Sequence, residues 1–174
     1  NEELIPALDQ VGKGFEKGTV FLPQLLMSAD AAKIAFAVLK DELAKSGESE
    51  QAKDKVILAT VKGDIHDIGK NIVKVLLENY SFDVIDLGKD VPADEIIAAA
   101  KEHNASIIVL SALMTTTMMR MKDTIALKEK EHLDVKVMIG GAVTTQSFAD
   151  EIGADGYSAD AADAVRLAKK LLAE

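Results

Sequence analysis

The 174-residue sequence contains no cysteine and no tryptophan, and only 4% of its residues are aromatic. The absence of cysteine excludes disulfide scaffolds, zinc–thiolate sites and cysteine nucleophiles, so nothing requires an oxidising compartment. No apolar run approaches the roughly 20 residues that cross a bilayer, and no signal peptide is recognisable. These absences predict a cytoplasmic protein with no membrane partner.

Positive charge is also scarce, because 20 lysine and arginine residues stand against 29 aspartate and glutamate residues, a formal net charge of −9. An acidic surface repels phosphate backbones, so we expect no nucleic-acid partner. Hydrophobic residues make up 48% of the chain, which is enough for a folded core and excludes intrinsic disorder.

The first part of the chain has helical periodicity. Apolar residues recur at helical spacing over residues 4–15 and again over residues 21–43, with a break at Gly18 and with Pro23 at the start of the second pattern. We predict a helical cap domain over residues 1–47 and a polar linker over residues 48–53 that lets the cap move. Because the sequence begins inside the first pattern, we expect an N-terminally truncated cap and a piece of a longer polypeptide.

From residue 54 to residue 174 the pattern alternates between strand and helix. The predicted strands cover residues 56–60, 84–87, 106–110, 135–139 and 156–158, and the predicted helices cover 68–80, 92–103, 117–131, 147–152 and 161–172. Parallel neighbours need crossover helices, so we predict an α/β domain. It would be a five-stranded parallel Rossmann-like (flavodoxin-like) sheet with helices on both faces, preceded by the small helical-bundle cap.

Ligands of such sheets bind beyond the carboxyl ends of the strands, so the informative loops cover residues 61–71, 111–117 and 140–142. The first loop lacks the G-x-G-x-x-G pattern of dinucleotide-binding folds, and the chain has no P-loop. The third strand ends in Leu110 and Ser111, without the aspartate that a phospho-acceptor domain needs there.

One imidazole lies close to a carboxylate in the first loop. A histidine that binds a metal commonly gives its other N–H to a carboxylate, and Asp64 is placed to accept that hydrogen bond from His66. Thr117, on the neighbouring loop, is placed to bond to the same carboxylate. A single imidazole does not hold a metal by itself, so a metal at His66 would arrive inside a cofactor.

Simpler structural roles exist for several of these residues. Asp64 and Asp67 suit the N-terminus of a helix, and Ser111 or the threonines that follow it suit a cap for the next helix. The pair Gly140-Gly141 suits an ordinary turn, whereas a functional pair would let the backbone approach a ligand closely.

The pattern Asp64-x-His66-x-x-Gly69, followed by Ser111-x-Leu113 and by Gly140-Gly141, resembles the signature of cobalamin-binding domains. It is similar to the cobalamin module of cobalamin-dependent methionine synthase, and to the corrinoid proteins of methanol-, methylamine- and aryl-ether-type methyltransferase systems. The resemblance extends over essentially the whole chain.

This resemblance implies the roles of individual residues. His66 would be the lower axial ligand of cobalt and the metal ligand of the chain, Asp64 would bond to its other ring nitrogen, and Thr117 would be the third member of the relay. The residues expected to bind the cofactor are Gly63, Asp64, Ile65, His66, Asp67, Gly69, Ser111, Leu113, Thr115, Gly140, Gly141 and Ala161, with Phe21 and Leu25 from the helical segment covering it.

The function implied is that of a methyl carrier, which cycles between cob(I)alamin and methylcob(III)alamin and is not catalytic alone. We predict the cobalamin domain of methionine synthase, an enzyme of methionine biosynthesis that transfers the methyl group to homocysteine. Its partners would be the homocysteine and methyltetrahydrofolate domains, together with a reductive reactivation partner.

The alternative is a free-standing corrinoid protein that serves separate methyl-donor and methyl-acceptor subunits of a methanol, methylamine or aryl-ether system. A third class, adenosylcobalamin mutases and light-sensing repressors, shares the Asp-x-His-x-x-Gly pattern. The sequence contains no barrel or DNA-binding segment that would favour that class.

Overall fold

The computed structural model describes residues 4–46 and 54–173, so the predicted linker lies outside the described residues. The elements in chain order are α1 (Leu4–Glu16), α2 (Leu22–Ser46), β1 (Lys55–Val61), α3 (Ile68–Asn79), β2 (Asp83–Val91), α4 (Ala93–His103), β3 (Ile107–Ser111), α5 (Thr115–Met118), α6 (Arg120–Lys130), β4 (Lys136–Gly140), α7 (Gln146–Ile152), β5 (Gly156–Ser158) and α8 (Ala161–Ala173). None of the described helices combines the length and the apolar character needed to cross a membrane.

The five strands form one parallel sheet in the order β2-β1-β3-β4-β5. The predicted Rossmann-like architecture is therefore confirmed. The chain runs from β1 outward to β2 and then returns to the other side of β1 as β3. The order reverses between β1 and β3, which opens a crevice at the carboxyl ends of these strands.

Each face of the sheet carries its own apolar layer. Alternate residues of a strand point to opposite faces, so Ile57 and Ala59 belong to one layer and Val56 and Leu58 to the other. The first layer is completed by α4, α6 and α7, and the second by α3, α8 and the helical segment. The second layer contains the functional cleft described below.

Two predicted elements differ from the observed ones. Strand β2 continues to Val91, beyond the predicted end at residue 87, because Gly88 and Val91 still pair with β1 across a shift in register. The polar residues Lys89 and Asp90 between them interrupt the apolar pattern. The predicted helix over residues 117–131 begins at Thr115 and is divided at Met119 into α5 and α6.

The helical segment packs directly on the sheet domain. The side chain of Leu25 is only 2% exposed and belongs to the same core as α3 and α8, with Val11 and Phe15 packed against that core. Gly12 faces Tyr80, and a Cβ at this glycine would overlap the phenol oxygen. The structure thus places Leu25 in the core between helices and sheet, and its expected role in covering a cofactor stays a prediction.

Candidate functional site

A cleft of about 590 Å³ opens at the carboxyl ends of β1, β3 and β4 and extends between α3 and α8. Its inner walls are apolar and include Leu58, Val73 and Val109. Most of the predicted cofactor-binding residues line it, namely Ile65, His66, Asp67, Gly69, Ser111, Leu113, Gly140, Gly141 and Ala161. The structure thus brings together three loops that lie far apart in sequence.

The Asp64 side chain is fully buried behind His66, where it accepts hydrogen bonds from both sides. Its Oδ1 lies 2.8 Å from Nδ1 of His66 and accepts the His66 backbone N–H at 3.1 Å. Its Oδ2 accepts from the hydroxyl of Thr117 at 2.7 Å and from the backbone N–H groups of Leu113 at 2.8 Å and Met114 at 3.2 Å. The loop after β3 therefore holds the carboxylate that orients the imidazole.

These hydrogen bonds determine the charge of Asp64. Burial alone raises the pKa of this carboxyl, but the bonds from Thr117, Leu113 and His66 outweigh burial and bring the pKa well below its ordinary value. The group is therefore a carboxylate at neutral pH and only accepts hydrogen bonds.

An acceptor at Nδ1 determines the tautomer of His66. Because a carboxylate only accepts, Nδ1 carries a proton, and in the neutral imidazole Nε2 therefore has the lone pair. The side chain is 46% exposed and lines the cleft. No described residue bonds to Nε2. An imidazole fixed through one nitrogen and free at the other is the arrangement of a metal ligand.

Among residues 4–46 and 54–173, no group of three or more His, Cys, Asp or Glu side chains is arranged to hold a metal ion. A metal at His66 therefore needs its remaining ligands from a cofactor, as the sequence predicts.

Three glycines line the cleft, and the surroundings of a Cβ atom differ from one to the next. Gly141 has a φ of +125°, and a Cβ there would overlap the backbone carbonyl of Ala112. Gly141 therefore meets a requirement of the fold, and its expected contact with a ligand stays a prediction. A Cβ at Gly140 would lie 3.0 Å from Oγ of Ser158, whereas a Cβ at Gly69 would meet no atom within 4 Å. Gly69 alone of the three leaves open space beside the cleft.

Five of the predicted cofactor-binding residues do not line the cleft. Asp64 is buried behind His66, Gly63 and Thr115 are exposed on their loops, Phe21 is exposed on the helical segment, and Leu25 is in the core. Asp67 precedes α3, but its side chain caps no backbone N–H.

An ion pair that the sequence did not predict lies beside the cleft. The side chain of Lys70 is 1% exposed, and its Nζ lies 2.6 Å from Oδ1 of Asp86 and 2.8 Å from Oδ1 of Asn71. The other carboxylate oxygen of Asp86 lies 3.3 Å from Nζ of Lys74. A lysine in the first turn of a surface helix is normally solvated, so no sequence pattern marks this pair.

Comparison with known proteins identifies the family. A family model described as a B12 binding domain matches residues 54–166, and a second model with that description matches residues 1–40. A corrinoid protein from Desulfitobacterium hafniense is 49% identical over 172 residues, which cover 97% of this chain and 80% of that protein. Dimethylamine corrinoid protein 1 of Methanosarcina acetivorans is 47% identical over 172 residues, which cover 98% of this chain and 80% of that protein.

The fold agrees with these similarities. A chain in the crystal structure of the methanol:cobalamin methyltransferase complex from Methanosarcina barkeri is 34% identical and superposes with a TM-score of 0.88, over 99% of this chain and 66% of that one. The resemblance read from the sequence motifs is therefore confirmed. The chain belongs to the corrinoid proteins of the B12-binding domain family, and its cofactor is cobalamin.

Proposed function

We propose that this chain is the methyl-carrying corrinoid protein of a methylamine-type methyltransferase system, in which His66 would bind the cobalt of the corrinoid. The observation that carries the proposal is the imidazole of His66 in the wall of the cleft. Its Nδ1 is hydrogen-bonded to a buried carboxylate, and its Nε2 has no hydrogen-bond partner among the residues that the structure describes. Identity of 44–48% to dimethylamine corrinoid proteins supports the methylamine class.

The residues present fit the cofactor. The apolar inner walls and the volume of the cleft suit a long, partly apolar group such as the nucleotide tail, and Gly69 leaves room for it. Around His66, the apolar side chains of Ile65, Ile68 and Leu113 are exposed. Such a patch beside a polar site is typical of a surface that a flat macrocycle covers.

Cobalamin supplies a cobalt ion that accepts a methyl group from a donor and passes it to an acceptor. The protein's own groups control the imidazole. Asp64 keeps the proton on Nδ1 of His66, and Thr117 and the loop amides keep Asp64 in place. With Nδ1 occupied in this way, Nε2 would be the nitrogen available to the cobalt of a bound cofactor.

These similarities favour the corrinoid protein over methionine synthase, the first expectation from the sequence. The partners we propose are a donor-side and an acceptor-side methyltransferase subunit, together with a reductive reactivation partner. Homocysteine and methyltetrahydrofolate domains have no support among the relatives described above.

Labelled methyl transfer tests the proposed function. The chain would be loaded with cobalamin, reduced, and incubated with labelled dimethylamine, methanol or methyltetrahydrofolate, each with its own donor-side methyltransferase. We expect the label on the protein-bound corrinoid from dimethylamine, with methanol as the second candidate. Transfer only from methyltetrahydrofolate would contradict the proposal and restore methionine synthase, and cobalamin-free protein is the control for non-specific labelling.

Alanine at two glycines separates folding from ligand binding. Gly69→Ala should keep the free energy of unfolding within about 1 kcal/mol of wild type, because the new methyl group meets no protein atom, yet it should weaken cobalamin binding. Gly141→Ala should lower the free energy of unfolding of the cobalamin-free protein by about 1–3 kcal/mol, because its methyl group overlaps Ala112. Urea unfolding measures the free energy of unfolding of each variant, and cobalamin titration measures its affinity for the cofactor. Equal cobalamin affinity of Gly69→Ala and wild type would show that the tail does not pass this residue.

A further inference from the structure

Asp90, near the end of β2, has a left-handed backbone with a φ of 58°, which is uncommon for a residue other than glycine. Its side-chain Oδ1 accepts the backbone N–H of Gly63 at 2.7 Å. Its own backbone N–H donates to the carbonyl of Asp64 at 3.0 Å. Asp90 therefore holds the loop that carries Asp64 and His66 at two successive residues.

Regular strand pairing does not account for these bonds. The register of β1 against β2 shifts after Leu58 and again after Ala59, and the last paired residues are Val61 and Val91. Gly63 lies beyond that point, so its N–H would have no partner in the ladder. The Asp90 side chain supplies one, and the left-handed backbone of Asp90 turns its N–H toward Asp64.

We propose that Asp90 is a positioning residue for His66, an inference that rests on the proposed function. Hydrogen bonds from the loop after β3 hold the carboxylate of Asp64. The main chain of Asp64 is held instead by backbone hydrogen bonds to Val61 and Asp90. Loss of the Asp90 contacts frees the main chain, and the carboxylate then no longer presents the imidazole in one orientation. This effect passes through Asp64, since Asp90 does not itself line the cleft.

The hydrogen bond from the Gly63 N–H requires an acceptor oxygen at residue 90, but it does not require a negative charge there. The Asp90 side chain is half exposed, and its ion pair with Lys62, at 3.9 Å, is between exposed groups and contributes little. Asparagine keeps the acceptor oxygen and tolerates a left-handed backbone, whereas glycine adopts that backbone without strain but has no acceptor. The pair Asp90→Asn and Asp90→Gly thus separates the hydrogen bond from the backbone conformation.

The test compares wild type, Asp90→Asn, Asp90→Gly and Asn104→Gly, each loaded with cobalamin in the Co(II) state. Asn104 has a φ of 51° at the other end of α4, so its glycine variant is the matched control. Electron paramagnetic resonance gives the ratio of histidine-bound to histidine-free cobalt. We expect Asp90→Gly to lower this ratio by about two- to tenfold, the effect of one net hydrogen bond, and the other two variants to match wild type.

Amide hydrogen exchange of Gly63 in the cobalamin-free protein gives a second readout, which needs no cofactor. Exchange should accelerate in Asp90→Gly by a similar factor and stay unchanged in Asp90→Asn. A wild-type ratio, or wild-type Gly63 exchange, in Asp90→Gly would overturn the role of Asp90. Absence of histidine ligation in wild type would instead overturn the proposed function, and this inference with it.

Discussion

Asp64→Asn is expected to abolish histidine ligation in most molecules while the protein stays folded. The oxygen that accepts from Thr117, Leu113 and Met114 must remain an oxygen, so the new NH₂ group takes the position facing His66. There it donates to Nδ1 and moves the ring proton to Nε2. A protonated Nε2 cannot bind cobalt.

The same substitution should lower the free energy of unfolding by about 1–3 kcal/mol, because the backbone N–H of His66 loses its acceptor. Nitrogen NMR of the His66 ring in the cobalamin-free protein reports the tautomer, and urea unfolding reports the stability. Asp67→Asn makes the same chemical change in the same loop, where the side chain caps no N–H, and it should leave the tautomer unchanged. Retention of the Nδ1–H tautomer in Asp64→Asn would show that Asp64 does not determine it.

Asp86→Asn is expected to lower the free energy of unfolding by about 3–5 kcal/mol at neutral pH, because the buried amine of Lys70 would lose the negative charge that compensates it. Urea unfolding measures this loss. Asp123→Asn, which removes an exposed pair with Arg120, is the matched control and should change stability by at most about 1 kcal/mol. A loss at Asp86 no larger than the control would mean that Lys70 reaches solvent.

The loss of stability caused by Asp86→Asn should become smaller as the pH falls. Burial raises the pKa of this carboxyl, but the hydrogen bonds and charge of Lys70, together with the N–H of Gly88, bring it below its ordinary value. A carboxyl with a lowered folded-state pKa stabilises the protein fully above its unfolded value, near 3.9. That contribution disappears as the pH falls through the folded-state pKa. Wild type and Asp86→Asn should therefore converge in stability in acid, and a constant difference would contradict this assignment.

Local patterns were enough to predict the elements of the fold. The apolar runs of β1, β3 and β4 are bounded by turn residues, so the positions of these strands along the chain could be predicted. The helical periodicity between the strands indicated crossover helices, and hence a parallel sheet. The motif around His66 also predicted its contact with Asp64, because two residues of separation within one loop place the groups close together. Thr117 followed from the rule that neighbouring strand ends share one edge of a sheet.

Features that depend on contacts between distant segments were not predictable. Asp90 lies 27 residues from Gly63, and no periodicity connects a polar residue at the end of one strand to the loop after another. The sequence left open whether Gly141 serves a turn or a ligand contact, and no local pattern indicated that a Cβ there would overlap the main chain of Ala112. Leu25 belongs to an apolar stripe that suits either a cofactor or a core, and only the packing of α2 shows that it is in the core.

Cobalt ligation by His66 can be measured by electron paramagnetic resonance of Co(II)-cobalamin bound to protein containing nitrogen-15 histidine. We predict cobalt lines split by a protein imidazole, with a splitting that changes on isotope labelling and is lost in His66→Gly. That variant should still bind cobalamin, since the cleft walls bury most of the tail. Splitting by a benzimidazole nitrogen that is insensitive to the label and to His66→Gly would contradict the account.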